Sequence, residues 1–237
     1  MEQHLSALSE SAQDYLKAIW TIGEVSGATV TVGALASRME VAPSTASEAV
    51  RRLEVNGLIT HAPYGDIKLS PTGETLALAM VRRHRLLETF LALQLGYSWD
   101  EVQREADRLE HAVSDRFLER LDALLGHPTT DPHGDPIPTA DGKVDAVPTV
   151  SLAEVEAGTT VTIVRILDAR PDLLRYLSGL GLRIGTELAV QEVVEAAEIV
   201  QLTAVSDPGS RISLSIPAAR PILVRMVPVG VTSARQP

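Results

Sequence analysis

The sequence predicts a mainly α fold with a β-rich C-terminal third. Three observations carry that prediction. Apolar residues recur at helical spacing through the first half, as in Leu16, Ile19 and Trp20, and again in Val32, Leu35, Ala36 and Met39. From Gly126 the chain reads GHPTTDPHGDPIPTADGKVDAVP, a Pro- and Gly-rich stretch with neither helical nor strand period. Beyond it the period becomes two, with Ile212, Leu214 and Ile216 alternating with Ser213 and Ser215.

The elements follow in chain order. After the VGALASRM helix and a break at Glu40-Val41-Ala42, Pro43 suits the first turn of a new helix, where an N–H is not needed. That helix runs through STASEAVRRLEV and stops near Asn56-Gly57. LIT and IKLS then form two short strands about a Pro-Tyr-Gly-Asp turn. Two helices with a tight break, followed by a hairpin, describe a winged helix-turn-helix; a helical hairpin inside a larger all-α domain is the alternative. Long helical stretches are expected from about Pro71 to Leu95 and from about Trp99 to Leu125. In the last third VTIVRIL has strand length, Leu188 and Val190 alternate, and PDLLRYLSGLGL reads as one short helix, which together describe a small β-barrel. The expected domains are 1–75, a winged helix; 76–126, a helical unit; 127–149, a linker; and 150–229, the barrel.

Composition excludes several functions. The 237 residues include no Cys, so disulfides, thiolate metal sites and a Cys nucleophile are ruled out. Aromatics are 3%, so the core is aliphatic. The balance of 21 Lys+Arg against 31 Asp+Glu gives −10, and no region is net basic. A nucleic-acid role therefore needs a local surface, or charge supplied by something bound. No apolar run is long enough to cross a membrane. The N-terminal MEQHLSALSESAQDY has neither a basic nor an apolar leader segment, so a cytoplasmic location without a membrane partner is expected. HExxH and a nucleophile elbow are both missing, so no enzyme activity and no small organic substrate are expected.

Two surfaces stand out. On the second short helix Ala46, Val50 and Leu53 make a buried face, and Ser44, Thr45, Ser47, Glu48, Arg51 and Arg52 lie away from it. Hydroxyls and guanidiniums suit phosphates and base edges, and Glu48 suits cytosine N4. Tyr64 and Lys68 in the hairpin are expected to contact the DNA backbone. The second surface joins His84 and Glu88, four apart on one helix, to Gln103, Asp107, Glu110 and His111, which fall within an arc of about 100° on the next. The stripe Val102, Ala106, Leu109, Val113 and Phe117 lies beside that arc, which turns the polar groups towards the interior. Buried carboxylates need partners, and a divalent cation is one solution; a surface ion pair or a solvated network is the other. His127 and His133 are expected to be exposed, as are Glu192, Glu195 and Glu198.

At RRHRLLETFL and EADRLEHAVSD the chain resembles the diphtheria-toxin-repressor family, and within it the three-domain manganese transport regulator branch. DPHGDPIP resembles that family's proline segment, and DARPDLLRYLSGLGLRIGTEL its FeoA-type, Src-homology-3-like barrel. The resemblance implies a repressor that binds a palindromic double-stranded DNA operator as a homodimer and controls metal-ion uptake. It implies activation by Mn²⁺, with Fe²⁺ as the alternative; a metal-independent winged-helix regulator is the rival reading. Where iron-responsive members carry Met and Cys, this chain has Asp14 and Asp107, hard oxygens that favour Mn²⁺. Glu110 and His111 match the family directly. Two-domain manganese members have Glu where this chain has Lys17. For the ancillary site the resemblance implies His84 and Glu88, with Gln103 in place of a His. It also implies a barrel oxygen from Asp168, or alternatively Asp172.

Overall fold

The computed structural model describes residues 5, 7–26, 30–62, 65–145, 147–167 and 170–227. They form two compact units. One holds residues 1–98, 102–131 and 136–145, and the other 99–101, 132–135 and 146–237.

The first unit begins with α1 (Glu10–Ser26), which buries Tyr15, Leu16, Ala18 and Ile19. In α2 (Val32–Arg38) the Thr31 hydroxyl accepts from the Ala34 N–H, and in α3 (Pro43–Val55) Pro43 opens the first turn. Gly57, at φ +68°, ends α3 and leads into β1 (Ile59–His61), antiparallel to β2 (Ile67–Leu69). A bridge from Val30 to Ile67 completes the winged helix-turn-helix. Next, α4 (Pro71–Leu95) spans the interval the sequence predicts, capped by Ser70 and closed by left-handed Gly96. At about 1.5 Å per residue it is roughly 37 Å long, and it serves two cores. Leu76, Ala77 and Met80 pack with α1–α3, whereas Leu86, Leu87 and Leu91 pack with Val102, Ala106, Leu118, Leu121 and Ile137.

The helix expected from Trp99 to Leu125 is two helices, α5 (Val102–Leu109) and α6 (Asp115–Leu124). The Ser114 hydroxyl accepts from the Phe117 N–H and starts α6 afresh, so the apolar stripe does not continue through the break. Phe117, expected inside, is 44% exposed.

The second unit contains β3 (Val150–Ser151), β4 (Thr160–Ile166), α7 (Pro171–Gly179), β5 (Glu187–Val194), β6 (Ile199–Ala204), β7 (Asp207–Ser215), α8 (Ile216–Ala219) and β8 (Ile222–Met226). Its six strands pair antiparallel in the order β3-β8-β4-β5-β6-β7. Alternate residues Val161, Ile163, Leu188, Val190, Val200, Leu202, Ile212 and Leu214 face a core that Leu174 and Leu177 of α7 complete. Ile216, expected to continue the strand, instead opens α8, because the Ser215 hydroxyl caps that helix. Among the described residues no helix is long and apolar enough to cross a membrane.

Candidate metal centre and DNA-reading face

Two turns of α1 aim Gln13, Asp14 and Lys17 at α4 and at the end of α5. The Gln13 amide donates to the carbonyls of Leu5 and Leu8, at 3.1 Å each. Its Oε1 must then accept, and it faces His111 Nδ1 at 3.0 Å. The proton therefore sits on Nδ1, and Nε2 is aimed at Asp14 Oδ1, 3.0 Å away. Glu110 Oε1 is 3.6 Å from the same Nε2. One ligand atom each from Asp14, Glu110 and His111 falls within 4.8 Å of the others. A second triplet, from His84, Asp107 and Glu110, meets the same criterion, and Glu110 belongs to both.

Glu110 is fully buried. Its Oε2 lies 2.7 Å from His84 Nδ1 and its Oε1 2.5 Å from Lys17 Nζ. Lys17 Nζ also donates to Asp107 Oδ1 at 2.9 Å. On its other side His84 Nε2 is 3.2 Å from Glu88 Oε1, so both ring nitrogens face carboxylates. Lys17 Nζ approaches His84 Nδ1 at 3.3 Å; with that nitrogen committed to Glu110, this is a contact of like charges, not a hydrogen bond.

The electrostatics follow from the packing. Burial pushes the Asp14 carboxyl above its usual range, against the pull of His111 and Lys17. Burial and Lys17 lower the His84 pKa, but Glu88 and Glu110 outweigh them and raise it to about 9. Burial works against the charged forms of Glu110 and Lys17 as well. His84 and Lys17 nevertheless hold Glu110 below its ordinary value, and Glu110 and Asp107 hold Lys17 above its own. Four carboxylates (Asp14, Glu88, Asp107 and Glu110) therefore face two cations, Lys17 and a charged His84. Acidic groups are thus crowded at this centre, an arrangement that a bound cation would relieve.

A pH prediction follows for the metal-free protein. The folded pKa of His84, about 9, stands above its ordinary 6.5. Its contribution to stability is complete below pH 6.5 and disappears as pH rises through 9. Denaturant unfolding across this interval should show the wild type losing stability faster than His84→Gln. Parallel losses would rule out the charged His84.

Of the other expected ligands, Glu88 is 3% exposed and bound to His84. Gln103 is half-buried on α5, a turn before Asp107, and does not join the cluster's hydrogen bonds. Asp168 lies outside the described residues, and Asp172 is exposed on the first turn of α7. His127 is exposed and pairs with Asp122. His133, expected to be exposed, is instead 2% exposed, because its ring stacks on Trp99 and its Nε2 reaches the Trp99 carbonyl at 2.7 Å. The sequence reading passed over Gln13, although a polar residue on the buried side of α1 was a visible signal.

The candidate DNA-reading face has the burial that helical period predicts. Ala46, Val50 and Leu53 are buried, while Ser44, Thr45, Ser47, Arg51 and Arg52 are exposed and Glu48 is partly so. Glu48 is not free: Arg51 Nε and Nη2 reach it at 3.0 and 2.9 Å, and Arg52 Nε at 3.0 Å. Those hydrogen bonds lower its pKa to about 2. Lys68 is exposed on β2 opposite Thr60. Tyr64 lies outside the described residues.

The model of the iron dependent repressor N-terminal DNA binding domain matches residues 7–67. That of the iron dependent repressor metal binding and dimerisation domain matches 70–139, and the FeoA domain matches 150–226. The iron-dependent repressor IdeR of Mycobacterium tuberculosis (strain ATCC 25618 / H37Rv) is 31% identical over 220 residues, covering 90% of this chain and 91% of its own. The chain belongs to the iron-dependent repressor family.

The diphtheria toxin repressor of Corynebacterium diphtheriae is 33% identical to this repressor over 195 residues, 77% of this chain and 85% of its own. A solved manganese-dependent transcriptional repressor in complex with manganese is 49% identical, with a TM-score of 0.86 over 91% of this chain and 100% of that one. The manganese regulator SloR is 30% identical, with a TM-score of 0.76 over 91% and 98%. The repressor thus has the family's DNA-binding, metal-binding and dimerisation, and FeoA domains. Asp14 and Lys17 fall in the first of these; His84, Glu88, Asp107, Glu110 and His111 fall in the second.

Proposed function

We propose that this repressor is activated by Mn²⁺ and, as a homodimer, binds a palindromic operator that controls metal-ion uptake. Residues 1–75 read DNA, 76–126 bind metal and dimerise, and 150–229 form the FeoA-like domain beyond the 127–149 linker. The observation that carries this reading is the Asp14–Glu110–His111 triplet. Its donors are hard oxygens and one imidazole nitrogen whose lone pair Gln13 fixes towards the site. That set fits Mn²⁺, and Asp107 supplies a further oxygen nearby.

Bound there, the cation supplies positive charge and a coordination geometry that four carboxylates cannot provide for themselves. The chain's own residues do the rest. Asp14 belongs to the helix that packs on α2 and α3, and Glu110 and His111 follow α5, so the triplet ties the winged helix to the dimerisation segment. This is a population shift: an arrangement in which the three donors converge is favoured over others only by the difference in cation affinity between them.

The test is an operator-binding titration after chelator treatment, against matched free Mn²⁺, Fe²⁺, Co²⁺ and Zn²⁺. Mn²⁺ should activate best, although softer ions bind the same donors tightly. Asp14→Met places sulfur at the site and should raise the response to Fe²⁺ or Co²⁺ relative to Mn²⁺, by on the order of tenfold. Equal responses to Mn²⁺ and Fe²⁺ in wild type, unshifted in the variant, would remove manganese from the reading. DNA binding indifferent to chelator would remove the metal altogether.

A further inference from the structure

We propose that the Lys17 ammonium is a built-in cation for the His84–Asp107–Glu110 pocket, so that metal uptake at this centre is confined to the Asp14–Glu110–His111 side. The inference rests on the reading above and concerns how many ions the centre accepts and at what concentration.

The geometry is specific. The three donor atoms of the pocket lie within 4.8 Å of one another, close enough to hold one ion. Lys17 Nζ is 2.9 Å from Asp107 Oδ1, 2.5 Å from Glu110 Oε1 and 3.3 Å from His84 Nδ1. An oxygen-ligated divalent cation sits about 2.0–2.6 Å from its donors. An ion in this pocket would need the space that Nζ fills. The ammonium is not a surface side chain that strayed in. Its side chain is 15% exposed, and it leaves α1 one turn after Asp14. A charged amine so deeply placed persists only when its partners compensate for lost water, which Asp107 and the fully buried Glu110 do.

Glu110 links the two pockets. Its Oε1 faces both Lys17 and His111 Nε2, so charge given to Lys17 is withheld from an ion on the other side. Asp107 is likewise held by Lys17 and reaches that ion only by leaving it. Lys17 therefore has two effects: it closes one pocket and weakens the other. The second sets the threshold at which the repressor responds.

The experiment compares the full-length wild type, Lys17→Glu and Lys17→Gln, each stripped with chelator and titrated with Mn²⁺ alone. Bound metal is counted by elemental analysis and examined by electron paramagnetic resonance. Lys17→Glu should take up about one Mn²⁺ more per chain than wild type. The added ion would share Glu110 with its neighbour, so an exchange-coupled pair should broaden the six-line signal of isolated ions. Lys17→Gln keeps the length and removes the charge. It should melt lower than wild type without metal, recover more on adding Mn²⁺, and bind its tightest ion at lower concentration. A coupled pair in wild type, or no gained ion and no tightened binding in both variants, would overturn the Lys17 proposal while leaving metal activation standing. A wild type that takes up no Mn²⁺ would overturn both.

Discussion

Replacing His111 with alanine is expected to abolish metal-activated operator binding while the chain stays folded and dimeric. The imidazole is the only nitrogen donor of the Asp14–Glu110–His111 triplet, and Gln13 has already oriented it. Removing a group that merely orients a ligand costs about 10–100-fold in metal affinity. Removing the ligand itself should therefore cost on the order of 100-fold or more. Asp14 and Glu110 would then face each other with less compensation, so the winged helix should be held less firmly to the segment after α5. The measurements are operator affinity at limiting Mn²⁺, with circular dichroism and sedimentation as controls. An unchanged operator affinity would dismiss the triplet as the activating site.

The second large effect is expected at Gly73, in the first turn of α4. A Cβ built there falls 1.9 Å from the Leu58 carbonyl oxygen and 2.9 Å from its carbon. Both are backbone atoms, so no side-chain rotation relieves the clash. That same carbonyl accepts from the Ser70 N–H at 2.9 Å, and Ser70 caps α4. Gly73→Ala must therefore push the helix start away from the α3–β1 junction or break the cap. The expected cost is about 3 kcal/mol, which lowers Tm by roughly 10 °C for a chain of this size. Thermal unfolding monitored by circular dichroism checks it; a variant melting within about 2 °C of wild type would mean the junction yields freely. Because α4 also carries His84 and Glu88, the displacement should weaken the response to Mn²⁺ as well.

What could be read from the sequence was local. The limits of α4 follow from Ser70-Pro71 at one end and Gly96 at the other, both backbone signals. The buried face Ala46-Val50-Leu53 follows from helical period alone, and so does the pairing of His84 with Glu88. The break between α5 and α6 had a local signal too, in Ser114, but the apolar spacing carried on across it and suggested one helix. What stayed hidden was long-range. Lys17 stands 67 residues from His84, 90 from Asp107 and 93 from Glu110, and no periodicity connects such positions. The resemblance marked Lys17 as a departure from related chains but could not say where its charge goes. His133 misled for a related reason. It sits in a Pro-rich stretch that reads as solvent-exposed, yet is covered by a ring 34 residues away.

The fork that Arg51 and Arg52 make on Glu48 has a kinetic consequence. From a distance the face sends out little field, because each guanidinium hands part of its charge to a carboxylate that stays ionised down to about pH 2. On a chain of net charge −10, the long-range pull that speeds many DNA-binding proteins towards a polyanion is missing. If this face reads DNA, encounter with the duplex would be slow, and retention would depend on contacts made after arrival, with an arginine leaving Glu48 for the nucleic acid. Such a protein spends little time trapped on unrelated sequence.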